Sequence, residues 1–161
     1  MKWILAMTAF SIFMGGYMYY NISSKSFNDS LDHLFIKYAK ESGIDPKIVK
    51  AMALTESGTQ LDQKQYEPKG GTTGILHIKL TTARDYEPTL SAEKLAYDET
   101  QIRVASKHIK RLMGVFNNNV DLVAMAYNAG EGNILKGRVP EITKRHLERF
   151  KRYYNELGKE S

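Results

Sequence analysis

Residues 45–58 decide the fold, and they read Asp-Pro-Lys-Ile-Val-Lys-Ala-Met-Ala-Leu-Thr-Glu-Ser-Gly. The Asp-Pro pair is typical of a helix N-terminus, because aspartate caps the first turn and proline lacks the N–H that would have no partner there. Gly58 is a typical helix stop. Between these ends Ile48 and Met52 recur at helical spacing, and Glu56 continues the same stripe. The stretch therefore predicts an amphipathic helix that carries a carboxyl group on its apolar face.

Glu56 is an unusual residue for an apolar helix face, because burying an ionised carboxylate is costly. Burial and the partial negative charge at a helix C-terminus both disfavour the ionised form, so we expect a raised pKa for Glu56. A carboxyl group of that kind suits a general acid. The helix pattern alone leaves two other interpretations open, in which Glu56 pairs with a lysine or arginine or points to solvent.

The rest of the pattern is also helical. Apolar residues recur at helical spacing in residues 30–42, 98–116, 121–129 and from about 141 onward. We expect Asp98 and Gln101 to form a capping box, and Asp121 to cap the helix that follows it. No strand alternation of useful length occurs, and residues 59–91 form a long irregular stretch, which is usually functional. The predicted fold class is mainly α, in one compact helical domain.

The composition excludes several kinds of site. The chain has 161 residues, enough for one domain and a short appendage, and it contains no cysteine, which excludes disulfides, thiolate metal sites and cysteine nucleophiles. Its four histidines (His33, His77, His108 and His146) show no paired ligand spacing, and no glycine-rich phosphate loop follows a strand. The net charge of +5 is spread along the chain, so nucleic-acid binding would rest on charge alone. We expect no metal, no cofactor and no nucleic-acid partner.

Three blocks of sequence carry a resemblance to a known family. They are Glu56-Ser57 at a helix end, Gly-Thr-Thr-Gly-Ile-Leu-His-Ile at 71–78, and Ala-Tyr-Asn-Ala-Gly at 126–130. In order and spacing they resemble the soluble-lytic-transglycosylase-like family of the lysozyme-like superfamily. The resemblance implies a lysozyme-like helical domain that cleaves the glycan strands of peptidoglycan.

The resemblance also implies a role for individual residues. Glu56 would protonate the glycosidic oxygen between N-acetylmuramic acid and N-acetylglucosamine, and would then deprotonate the muramoyl 6-hydroxyl to give a 1,6-anhydro product. Ser57 would shape the hydrogen bonding beside Glu56, and Tyr127 would hydrogen-bond and orient its carboxyl group. Asn128 would contact the sugar chain.

Two positions depart from the pattern of that family. Its Gly-Leu-Met-Gln turn reads Gly74-Ile-Leu-His77 here, and by the resemblance this turn lines the cleft, with Gly74 and His77 binding substrate. His77 adds a group whose charge varies near neutral pH, which predicts a pH-dependent affinity. In the second departure, His146 stands where a Glu-Thr-Arg-x-Tyr segment has its tyrosine.

Two other functions stay open on the sequence. Hydrolysis, as in goose-type lysozyme, is one; ordinary glycosidases need a second carboxyl group about 5 to 5.5 Å from the first when retaining and about 6.5 to 9.5 Å when inverting, for which Asp62, Glu67 and Asp85 are candidates. A non-catalytic wall-binding or assembly module is the other, since the turn at His77 is altered, although the retained Glu56 argues against it.

Residues 3–20 contain no charged side chain and, as a helix, would extend about 27 Å, close to the thickness of a bilayer core. Tyrosines at the end of this run suit a membrane interface, and no Ala-x-Ala cleavage site follows. We predict a membrane anchor at 1–20, a linker at 21–28 and a catalytic domain at 29–161 outside the cytoplasm, or a secreted or virion-associated protein if the segment is processed. Domains of this kind also imply secretion, conjugation or phage entry machinery as partners.

Overall fold

The structure, a computed structural model, describes residues 30–58 and 72–159. By its internal contacts the chain divides after Asp32, and the larger compact unit runs from His33 to Ser161. The predicted anchor at 1–20 and linker at 21–28 lie outside the described residues. Within the described ranges, no helix is both long enough and apolar enough to cross a membrane.

The fold is mainly α, as the sequence predicts. In chain order its helices are α1 (residues 30–42), α2 (Pro46–Ser57), α3 (Leu80–Arg84), α4 (Ala92–Leu95), α5 (Asp98–Val115), α6 (Val120–Ala129), α7 (Glu131–Leu135) and α8 (Glu141–Leu157). Two short strands, β1 (Thr72–Thr73) and β2 (Ile78–Lys79), pair antiparallel with Thr72 opposite Lys79. The sequence did not predict this hairpin, because two residues a strand are too few to show alternation.

Helix α2 begins and ends as its sequence predicts. The Asp45 carboxylate accepts a hydrogen bond from the Lys47 N–H at 2.8 Å, and the Gly58 N–H donates to the Leu54 carbonyl at 2.9 Å. Between these caps seven of the twelve residues are buried and none is fully exposed, so α2 is a central helix rather than an amphipathic surface helix. Its buried residues are Ile48, Val49, Ala51, Met52, Ala53, Leu54 and Thr55.

The predicted capping box of α5 is wrong. Tyr97 is the N-cap and makes no side-chain cap, and Asp98 is already the first helical residue. The buried Gln101 side chain instead donates from Nε2 to the Leu95 carbonyl at 2.7 Å. Because the Gln101 side chain packs inward and bonds to the last carbonyl of α4, it cannot also bond to the first turn of α5, and the capping-box pattern therefore failed.

The cap of α6 also differs from its prediction. Asn119 takes the N-cap position, and its side-chain oxygen accepts from the Leu122 N–H at 3.1 Å. Asp121 lies in the first turn instead, where its negative charge is favourable at the helix N-terminus. Its carboxylate forms an ion pair with Lys151 of α8 at 2.9 Å. The helix itself occupies the predicted range to within one residue.

Helix α8 brings the elements of the site together. It packs against both α2 and α6, and α6 also packs against α5 and α7. The side chains that α8 buries are Thr143, His146 and Phe150, which recur at helical spacing on one face. As a result, the C-terminal end of α2, the C-terminal end of α6 and the first turns of α8 lie side by side.

Candidate active site

A cavity of about 420 Å³ lies where these elements meet. Of the six predicted site residues, the structure places Glu56, His77, Tyr127 and Asn128 on its wall, and it leaves Ser57 and Gly74 behind the wall. The cavity is lined by Glu56, His77, Ile78, Lys79, Thr82, His108, Ala126, Tyr127, Asn128, Ala129, Gly130 and Glu131. A concave site of this volume with several polar groups is typical of ligand binding.

Glu56 is held by two histidines. Its side chain is 14% exposed, with Oε1 2.8 Å from Nε2 of His146 and Oε2 3.4 Å from Nδ1 of His77. The carboxyl group is therefore largely buried and, among the described residues, is bonded to two histidines and to no lysine or arginine, which neither alternative left by the helix pattern anticipated. His146 and His77 come from α8 and from the β1–β2 turn, which the helix pattern of α2 says nothing about.

The predicted rise in the pKa of Glu56 is also wrong. Burial does raise it, but hydrogen bonds from His146 and His77, together with their positive charge, outweigh burial and lower the pKa of Glu56 to about 2. The prediction counted only the effects of the residue's own helix. In the resting site Glu56 is a carboxylate.

His146 is the more buried of the two partners. Its side chain is 1% exposed, and its second ring nitrogen, Nδ1, is buried without a hydrogen-bond partner among the described residues. Phe150, one turn further along α8, is also fully buried and fixes the face that α8 presents. The ring is therefore held against Glu56 by the packing of α8, because no described residue bonds to Nδ1.

The β1–β2 turn presents His77 to the cavity. The His77 N–H donates to the Gly74 carbonyl at 3.2 Å, and both residues have left-handed backbones, with φ +71° at Gly74 and +46° at His77. A Cβ on Gly74 would stand 2.7 Å from the Gln101 side chain. The structure thus gives Gly74 a part in folding the turn, and it does not place this residue on the cavity wall.

Two hydrogen bonds tether the turn. Ser57 donates from Oγ to the Ile75 carbonyl, and Tyr127 donates from its hydroxyl to the Leu76 carbonyl, both at 2.8 Å. A phenol has one proton, so the predicted hydrogen bond from Tyr127 to Glu56 is absent. Burial first, and then the negative charge of Glu56, raises the pKa of Tyr127, which keeps this proton in place. Both residues position the turn, and through it His77.

Asn128 lies at the exposed end of α6 and is linked to α8. Its side-chain oxygen accepts a hydrogen bond of 2.9 Å from the hydroxyl of the buried Thr143. Thr143 and His146 are three residues apart on α8, so one helix face contacts both Asn128 and Glu56. With the oxygen engaged, the two N–H donors of the Asn128 amide are the groups available to a ligand.

Two residues of the cavity wall escaped the sequence analysis as site residues. His108 of α5 has Nδ1 2.9 Å from the Tyr86 hydroxyl, and its ring lies 5.6 Å from that of Tyr127. Burial, and next the nearby Arg111, lower the pKa of His108 to about 4, so it is neutral near pH 7. Glu131 of α7 is ion-paired with Arg111. In the sequence each is a single polar residue on a helix. Both line the cavity only because α5, α6 and α7 meet there.

In residues 30–58 and 72–159, no three His, Asp or Glu side chains converge in a way that could hold a metal ion. The polar side chains that line the cavity are hydrogen-bonding and acid–base groups, namely Glu56, His77, Lys79, Thr82, His108, Tyr127, Asn128 and the ion-paired Glu131. This set can move protons and can hold a polar, uncharged ligand such as a sugar.

Residues 33–145 match the family model described as the transglycosylase SLT domain. This chain belongs to that family. The sequence resemblance is thereby confirmed, and the match ends one residue before His146.

Solved structures show the same fold. An inactive mutant of the lytic transglycosylase Slt from Pseudomonas aeruginosa is 20% identical with a TM-score of 0.68, over 80% of this chain and 24% of that one. The 70 kDa soluble lytic transglycosylase from Escherichia coli is 22% identical with a TM-score of 0.61, over 78% of this chain and 24% of that one. This chain spans about a quarter of the length of these proteins. The likeness confirms the lysozyme-like fold class.

Proposed function

We propose that this domain is a peptidoglycan lytic transglycosylase and that Glu56 is its acid and base. The observation that carries the proposal is the position of Glu56, a carboxyl group 14% exposed on the wall of a sugar-sized cavity. Membership of the transglycosylase SLT domain family supports it, and so do the names of the solved structures, both of which are lytic transglycosylases.

In the proposed reaction one carboxyl group serves twice. Glu56 gives a proton to the glycosidic oxygen between N-acetylmuramic acid and N-acetylglucosamine, and the bond from this oxygen to the muramoyl C1 breaks. The Glu56 carboxylate then takes the proton of the muramoyl 6-hydroxyl, while the oxygen of that hydroxyl bonds to C1. Glu56 regains the proton that it gave, no water is consumed, and the product is a 1,6-anhydro sugar.

The other groups of the cavity bind and orient the strand. The amide of Asn128, fixed by Thr143, donates hydrogen bonds to the sugar chain, which carries many hydroxyl and carbonyl acceptors. His77 lies beside the carboxyl group at the opening, with its side chain 40% exposed, and contacts the same strand. Ser57 and Gly74 contribute through the turn and not by contact.

Hydrolysis is a second candidate because Glu131 lines the same cavity. Its carboxyl group is ion-paired with Arg111, and a second carboxyl group in the cavity is what a hydrolytic mechanism needs. Of the second carboxyl groups predicted from sequence, Asp85 follows α3 and does not line the cavity, whereas Asp62 and Glu67 lie outside the described residues. Hydrolysis adds one water to the released sugar end, and transglycosylation does not.

Digestion of purified peptidoglycan followed by mass spectrometry of the fragments tests these assignments. We expect anhydro-muramoyl products from the wild type, a loss of at least about 100-fold with Glu56→Gln, and nearly normal turnover with Glu131→Gln. The two substitutions make the same chemical change in the same cavity, so each controls for the other. Water-containing products that disappear with Glu131→Gln would establish a hydrolase. Lysis that is undiminished in Glu56→Gln would overturn the enzymatic role of Glu56, and no lysis by the wild type would favour a wall-binding or assembly module.

We further propose that residues 1–20 anchor the domain to a membrane with the cavity outside the cytoplasm, where a secretion, conjugation or phage entry machine needs a local gap in the wall. The uncharged run at 3–20 supports this. Cell fractionation of the full chain and of residues 29–161 tests it, since only the full chain should sediment with membranes.

A further inference from the structure

The hydrogen-bond partner of Glu56 is an ionisable base that solvent does not reach. His146 lies 90 residues after Glu56, is 1% exposed, and has no contact with the exterior through which it could exchange a proton directly. Its Nε2 is 2.8 Å from the carboxylate, the distance of a charge-assisted hydrogen bond along which a proton can pass between the two atoms.

We propose that His146 and Glu56 share one proton, and that this carboxyl–imidazole pair is the acid and base of the site instead of Glu56 alone. This inference rests on the proposed function. His146 does not touch the substrate, so it acts through Glu56 as a proton-holding and positioning residue.

The reason is the protonation state of the resting site. Hydrogen bonds from the imidazoles keep Glu56 ionised, and an ionised carboxylate has no proton to give to a glycosidic oxygen. A proton on His146 solves this, because it already lies along the Nε2 to Oε1 line. When a glycan strand displaces water from the cavity, the ion pair loses solvation, and the neutral arrangement of carboxylic acid and imidazole is favoured. The proton is then on Glu56, next to the substrate.

The empty side of the ring points the same way. Catalytic imidazoles that must stay charged usually have their second nitrogen bonded to a carboxylate or carbonyl. Nδ1 of His146 has no such partner in the part of the chain that the structure describes, so the ring is hydrogen-bonded to Glu56 alone among the described groups. When Nε2 gives its proton to the carboxyl group, the neutral ring keeps its other proton on Nδ1, and Glu56 is the described group to which the ring can pass a proton.

Other titratable groups near the pair come from every neighbouring element. Tyr127 of α6 donates its proton to the Leu76 carbonyl, and His108 of α5 is neutral near pH 7. Lys79 of β2 lies across the cavity, and Glu131 of α7 is paired with Arg111. Only His77 and His146 bond to Glu56 among the described side chains, and His77 is 3.4 Å away and 40% exposed. His77 is therefore the matched control.

The pair predicts a specific pH dependence. The pair can hold its one proton on either member, which keeps the singly protonated state populated to higher pH than a lone carboxylic acid would remain protonated. Activity should therefore persist to higher pH with His146 than without it. His146→Gln keeps an N–H donor for Glu56 but cannot carry the proton, so the alkaline limb of kcat/KM should move to lower pH by about one unit.

The experiment measures kcat/KM against pH on purified peptidoglycan for the wild type, His146→Gln and His77→Gln. It also follows the Glu56 carboxyl carbon and the His146 ring nitrogens of the wild-type chain by NMR as pH is varied. We expect the alkaline limb to move in His146→Gln and to move less in His77→Gln, and the two NMR signals to change in common steps.

Either an unmoved alkaline limb in a folded His146→Gln or NMR signals that change over separate pH intervals would overturn the pair. The NMR measurement needs no substitution, so it decides the matter even if His146→Gln does not fold. Because it needs no turnover, common steps in a protein without lytic activity would support the pair and refute the proposed function.

Discussion

Replacing Gly74 with alanine is expected to damage the turn that carries His77, for two separable reasons. The backbone at Gly74 is left-handed, with φ +71°, which residues with a Cβ adopt only at a cost. A Cβ there would also stand 2.7 Å from both Cγ and Cδ of Gln101. Gln101 is fully buried and bonded to the Leu95 carbonyl, so it has little freedom to withdraw.

The structure allows the two costs to be estimated. The left-handed conformation costs about 1 to 2 kcal/mol for a residue other than glycine, and overpacking a filled site costs about 1 to 3 kcal/mol. Gly74→Ala should therefore lower the free energy of unfolding by about 2 to 5 kcal/mol. Gly137→Ala is the control, because φ there is +68° with nothing within 4 Å of the added Cβ, and it carries the first cost alone.

Urea unfolding followed by circular dichroism measures both variants, and a double variant isolates the contact. Gln101→Ala removes the side chain that the new methyl would meet, so Gly74→Ala combined with Gln101→Ala should cost about 1 to 3 kcal/mol less than the sum of the single changes. Lytic activity should fall more in Gly74→Ala than in Gly137→Ala. A Gly74→Ala variant no less stable than Gly137→Ala would refute the steric reasoning.

Two further outcomes follow from the cavity wall. His108 has a folded pKa of about 4 against its ordinary 6.5, so its contribution to stability is complete above pH 6.5 and is lost as pH falls toward 4. The free energy of unfolding of the wild type, measured in urea, should therefore fall over this interval by up to about 3 kcal/mol more than that of His108→Phe. Parallel declines in the two proteins would contradict the burial argument. Asn128→Ala should raise KM for glycan strands about tenfold, and Thr143→Val, which frees the Asn128 amide to rotate, should raise it by less. Equal KM values in all three proteins would remove Asn128 from the binding site.

The local signals in the sequence were sufficient for the five long helices, but not for the short helices α3, α4 and α7 or for every helix end. The Asp-Pro start and the Gly58 stop of α2 depend only on neighbouring residues, and the structure has both. The caps of α5 and α6 failed where a side chain had a better partner elsewhere: Gln101 turns inward to Leu95, and Asp121 pairs with Lys151. A capping pattern cannot register such competition, because the competing group is distant in sequence.

The members of the candidate cavity could be predicted only in part from the sequence, and their hydrogen bonds could not, since Ser57 and Gly74 do not line the cavity and His108 and Glu131 do. Glu56, Tyr127 and Asn128 do meet at one cavity, as their shared motif implies. The bonding depends on which face α8 turns toward α2, and on the tethers of a four-residue turn. Because of these contacts Tyr127 hydrogen-bonds to the Leu76 carbonyl rather than to Glu56, and the Glu56 carboxyl group hydrogen-bonds to His146. The direction of the pKa shift at Glu56 was wrong for the same reason.

The face that α8 buries bears on where this domain ends. The match to the family stops at residue 145, inside a helix that continues to Leu157. A fragment trimmed to the matched residues would keep Glu56 and Asn128 but lose His146 and the buried Phe150. Its cavity would have an open wall, and its carboxyl group would titrate without its imidazole partner. The residues that match the family model therefore do not include all of the side chains that surround Glu56.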